Sequence, residues 1–116
     1  MSINLNYLRE LAEGDKDFMV DMVQTFIDNA PGYLQEFNAF KTQMDVENLG
    51  KLAHKSKATF LFMGLEHLSN TSAILEKLCK ENANATEILD MVNKLEPDFL
   101  QVLAELESAL QDLKKS

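Results

Sequence analysis

The chain has 116 residues, of which 46% are hydrophobic, with four glycines, two prolines and one cysteine. That suffices for a single domain with one core over 1–116 and is too apolar for a disordered segment. A formal net charge of −8 argues against nucleic-acid or anionic-membrane partners, and no apolar run is long enough to span a bilayer.

The composition favours helix: Leu, Ala, Glu, Lys and Met abound, and no alternating run of β-branched residues marks a strand. In chain order, residues 3–13 form a short amphipathic helix carrying Ile3, Leu5, Leu8 and Leu11, ended by Gly14. Asp15 caps a second helix with Phe18, Met19, Met22, Val23, Phe26 and Ile27 on one stripe. Pro31 is placed as the first-turn proline of a third, which carries Leu34, Phe37, Ala39 and Phe40. Asp45 opens a fourth that runs to Met63, and Gly64 stops it. A fifth covers 66–81, with Leu68, Ile74, Leu75 and Leu78 inward, and Asn82 to Asn84 connect it to a last stretch over 85–113. Pro97 lies inside that stretch, so a bend or break is expected near Glu96. The fold class is all-α: an antiparallel four-helix bundle with two short N-terminal helices packed over one end.

The fourth helix carries the most informative residues. At about 100° per residue, Leu49, Leu52, Ala53, Phe60 and Met63 fall on the side opposite His54. His54 therefore faces outward. Lys57 stands one turn on, and Gly50 and Ala58 leave little bulk beside the ring. A neutral imidazole is a competent nucleophile near neutral pH. An adjacent ammonium can hold an anion by charge-assisted hydrogen bonds. Lys51 and Lys55 flank the histidine and add local positive charge. Leu61 and Phe62 form an apolar patch beside it, with Leu61 the better placed to meet a partner. Ser56 falls on the core side and needs a hydrogen-bond partner, such as a carbonyl one turn back. His67 has neither the lysine nor the small-residue setting and is read as a surface residue. A di-iron or other metal site is not expected, because paired Glu-x-x-His motifs are missing. Cys79 cannot form an internal disulfide and reads as helix packing.

The run His54-Lys55-Ser56-Lys57-Ala58-Thr59-Phe60-Leu61-Phe62-Met63-Gly64 resembles the signature of the histidine-containing phosphotransfer (HPt) domain family. The upstream runs Gly14-Asp15-Lys16-Asp17-Phe18 and Phe26-Ile27-Asp28-Asn29-Ala30-Pro31 resemble that family's entry, and Asp45, Leu49 and Leu52-Ala53-His54 its lead-in. Ser56 and Ala58 depart from the pattern, which usually has an apolar residue and a glycine there. The resemblance implies a phosphorelay intermediate of a two-component system. His54 would take a phosphoryl group from a receiver-domain aspartate and pass it to another receiver, and Lys57 would steady the phosphoryl oxygens.

Glu76, 22 residues after His54 on the next helix, matches a position where family members place a glutamine, or a glutamate in chemotaxis-kinase phosphotransfer domains, to orient the ring. The implied partners are response-regulator receivers and a hybrid histidine kinase. No cofactor is implied, since Mg²⁺ belongs to the receiver, and no kinase activity. Two alternatives stand beside this one: a phosphotransfer domain phosphorylated by a separate ATP-binding domain, and a receiver-binding module that transfers nothing. A monomer in the cytoplasm is expected, given no export signal, and Met1 with the Lys114-Lys115-Ser116 end favours a free-standing protein.

Overall fold

A computed structural model describes residues 3–115; Met1 and Ser116, which bore on the expectation of a free-standing chain, lie outside them. Among the described residues five helices follow one another: α1 Asn6–Leu11, α2 Lys16–Gln43, α3 Val46–Phe62, α4 Glu66–Lys80 and α5 Ala85–Lys115. Local chemistry sets their ends. Asp15 and Asp45 accept hydrogen bonds from Phe18 N and Asn48 N, each at 3.1 Å, and so cap α2 and α3. Asn84 does the same for α5 by accepting from Glu87 N at 2.9 Å. Gly64 stops α3 in the left-handed region at φ +75°, where Leu65 N donates to Phe60 O at 2.8 Å. A Cβ on Gly64 would also lie 3.0 Å from Asn4 O, so the turn has no room for a side chain.

The connections after α2, α3 and α4 are short, so these helices and α5 run antiparallel. By their rise, α2 and α5 measure about 42 and about 46 Å, against about 26 and about 23 Å for α3 and α4. The molecule is accordingly drawn out to 48 × 21 × 20 Å. The start of α2 and the end of α5 run on past the α3–α4 hairpin, and α1 lies across the hairpin's turn with Leu8 fully buried. Phe26, Phe60 and Phe99 meet at centroid distances of 5.1 to 6.2 Å and tie α2, α3 and α5 together. No helix among the described residues is long and apolar enough to cross a membrane.

The all-helical bundle is as expected, but two details differ. The second and third expected helices are one: α2 runs unbroken through Pro31, so a single short helix, α1, packs over the end. Likewise α5 continues as one helix through Pro97, so of the bend or break expected there no break occurs. Both prolines sit on exposed faces, where water can satisfy the carbonyl freed one turn back. Buried neighbours on either side, Ala30 and Phe37 in α2 and Leu95 and Phe99 in α5, anchor both halves of each helix in the core. Phe18 and Ile74, expected inward, are 43% and 48% exposed; the apolar stripe is wider than the face each helix covers.

Candidate functional site

The site is built at the seam of α3 and α4, and small residues make the seam narrow. A Cβ on Gly50 would lie 3.1 Å from Cys79 Cβ, so the two backbones approach closely there. Ser56 is buried, donates to Ala53 O at 3.2 Å, and reaches Ser72 Oγ across the seam at 3.3 Å. Ser69 Oγ donates to Lys57 O at 3.0 Å. Close packing with satisfied hydroxyls fixes the register between the helices. That register delivers Glu76 to His54.

His54 projects from α3 with 69% of its side chain exposed. Its Nδ1 lies 2.7 Å from Glu76 Oε2. A carboxylate only accepts, so Nδ1 carries a proton, and in the neutral form of the ring the lone pair is on Nε2, directed away from the carboxylate. Lys57 Nζ donates to Glu76 Oε1 at 2.8 Å, and Lys80 Nζ pairs with Oε2 at 3.1 Å. The Glu76 side chain is only 7% exposed, while those of Lys57 and Lys80 are 36% and 73% exposed. The hydrogen bond from Lys57 is the main cause that lowers the Glu76 carboxyl to about 2; Lys80 and His54 add to it, and burial opposes it. Glu76 is thus held ionised, as a carboxylate that orients the ring must be.

The other residues singled out from the sequence divide. Gly50 and Lys51 adjoin His54, lining with Val46, Cys79 and Lys80 a groove of about 470 Å³ beside the imidazole. The groove side of Gly50 is also where α4 packs, so its missing side chain serves the seam. Lys51 pairs with Glu47 at 3.3 Å. Lys55 lies over the Tyr33 ring, 5.5 Å from its centroid. Ala58 is exposed, and Leu61 and Phe62 are 53% and 41% exposed. They open to different hollows: Leu61 beside Tyr7 and His67, Phe62 beside Met22 and Tyr33. His67 is engaged elsewhere, its Nε2 3.1 Å from Asp98 Oδ2. Among the described residues, no group of three or more His, Cys, Asp or Glu is placed to hold a metal ion. Lys80 is the member of the cluster not anticipated from the sequence; its i,i+4 spacing from Glu76 is the signal that could have found it.

A family model described as the Hpt domain matches residues 21–116 of this chain. No curated protein and no solved structure matches it.

Proposed function

Since the chain belongs to the Hpt domain family, whose members carry out histidine phosphotransfer in phosphorelay signalling, we propose that it takes a phosphoryl group on His54 from a receiver-domain aspartate and hands it to another receiver. It acts as a phosphocarrier with no kinase activity of its own, as a monomer in the cytoplasm. The observation that carries this is the exposed imidazole whose Nδ1 is held 2.7 Å from a buried, ionised carboxylate. The Nε2 lone pair attacks phosphorus, the acyl-phosphate P–O bond breaks, and the aspartate carboxylate leaves with the bonding pair. No proton moves. The ring becomes cationic as it gains the phosphoryl group, and Glu76 faces that new charge through the Nδ1–H. Phosphoryl transfer asks chiefly for positioning and charge neutralisation, which an open site with a fixed ring and nearby ammoniums supplies. Mg²⁺ comes with the receiver's acidic pocket.

Receivers and a hybrid histidine kinase dock over the outer face of α3. Gly50 and Ala58 leave room there, Lys51 and Lys55 steer an acidic partner, and Leu61 and Phe62 offer apolar contact. A second reading, a phosphotransfer domain served by a separate ATP-binding kinase domain, is favoured by one feature: the ring partner is a carboxylate, Glu76. A module that only binds receivers is disfavoured, since His54 and Lys57 are both in place.

The test mixes the protein with a phosphorylated receiver and Mg²⁺. Acid-labile, alkali-stable label is expected on the chain, retained in His67→Gln and lost in His54→Gln. Label that persists in His54→Gln would overturn the assignment. Labelling by a kinase domain with ATP, and not by receivers, would favour the second reading.

A further inference from the structure

Glu76 offers two oxygens to three donors. Lys57 sits on Oε1, while His54 and Lys80 share Oε2. At rest, then, Lys57 is tied to the carboxylate and is not free to meet a phosphoryl group. To do so it must leave, which strips a 7% exposed carboxylate of its shortest ammonium contact. Removing one partner from a covered ion pair is costly. Lys80 does not have this conflict. It lies on Glu76's own helix, one turn on, and reaches Oε2.

On this basis, and resting on the assignment of His54 as phosphoacceptor, we propose that Lys80 is a positioning residue that keeps Glu76 paired while Lys57 swings to the incoming phosphoryl oxygens. The exchange makes electrostatic sense step by step. Before transfer, one carboxylate holds two ammoniums and the Nδ1–H of the ring. After transfer a dianionic phosphoryl group and a cationic ring share the site. Lys57 follows the new negative charge, and Lys80 stays with the old one. Lys80 thus acts through Glu76, not on the phosphoryl group. Without it, Lys57 is retained at Glu76, and the phosphoryl group arrives with less compensation.

The proposal makes the role of Lys80 conditional on the Glu76 charge, which a small phosphodonor can test with no receiver present. Phosphoramidate transfers its phosphoryl group to imidazole as its P–N bond breaks and ammonia leaves. With it, Lys80→Gln is expected to slow phosphorylation of His54 about three- to fivefold. In a Glu76→Gln background the same change is expected to alter the rate by no more than about twofold, because no carboxylate charge is left to hold. Lys57→Gln is expected to slow uptake in both backgrounds. In the unphosphorylated protein, carbon-13 titration of the Glu76 carboxyl is expected to move up in Lys80→Gln, which reads the pairing without any phosphate.

Equal slowing by Lys80→Gln in both backgrounds would mean that Lys80 touches the phosphoryl group and would overturn the proposal, as would slowing in neither or an unmoved Glu76 titration. A parent chain that takes no phosphate on His54 would overturn the functional assignment and this proposal with it. A labelled parent with the wrong background dependence would overturn this proposal alone.

Discussion

One carboxylate organises the chemistry of the α3–α4 seam. Glu76 is buried enough to be held in place and paired enough to stay charged. Its carboxyl falls from the ordinary 4.5 to about 2, chiefly through Lys57, so folding favours the ionised form. A depressed acid pKa stabilises the fold above the unfolded value, and that contribution disappears as pH falls through the folded one. The window therefore runs from about pH 4.5 down to about 2. Allowing for solvent screening at the exposed lysines, the contribution is about 1–2 kcal/mol. Urea unfolding of the parent and of Glu76→Gln at stepped pH checks this: the variant is expected to lack that share of the acid-induced loss. Parallel curves for the two proteins would show that the cluster adds nothing to stability.

Helix pairing is what brings the carboxylate to the ring. The seam is narrow because Gly50 faces Cys79 with no side chain between, and because Ser56 and Ser72 satisfy each other in its interior. Adding bulk at Gly50 pushes α4 away. Gly50→Val is expected to cost about 1–3 kcal/mol and to weaken the His54–Glu76 bond. Gly50→Ala should fall within about 1 kcal/mol of neutral, since the helix propensity gained offsets a contact slightly too tight. Denaturant midpoints, with imidazole nitrogen shifts to follow the ring, read both effects. Pro31 sits inside α2 on an exposed face. Pro31→Ala restores a backbone donor, and a stabilisation of about 1–3 kcal/mol is expected in thermal unfolding.

At the scale of the whole molecule, the long helices α2 and α5 form a stalk beyond the short α3–α4 hairpin, and α1 closes the corner between them. Leu8 is fully buried although α1 has only six residues, so this short helix is part of the core and not a fringe. Leu8→Ala is expected to lower stability by about 2–5 kcal/mol while leaving phosphate uptake at His54 intact below the transition, because the site lies on the other part of the hairpin. Calorimetry and the phosphoramidate assay on one preparation separate the two. Loss of uptake in a still-folded variant would show that α1 supports the site.

Much of this was legible in the residues alone, because it is local. Helical class, the caps at Asp15 and Asp45, the stop at Gly64 and the outward face of His54 follow from propensity, cap chemistry and a period of 3.6, none of which needs a neighbour. Whether Pro31 and Pro97 end their helices was not legible: that balance is decided by which face each ring occupies and by the packing of Ala30, Phe37, Leu95 and Phe99 around it. The expectation of an orienting carboxylate at Glu76 came from likeness to a known pattern. The sharing of that carboxylate by Lys57 and Lys80 belongs to the fold, as does the double use of Gly50. Propensity and periodicity alone settle which side chains stand on the reactive face of α3. The tertiary structure decided which of them are already engaged, because the distance between two helices is set by the smallest residues at their seam, and charges of long side chains settle only once that distance is known.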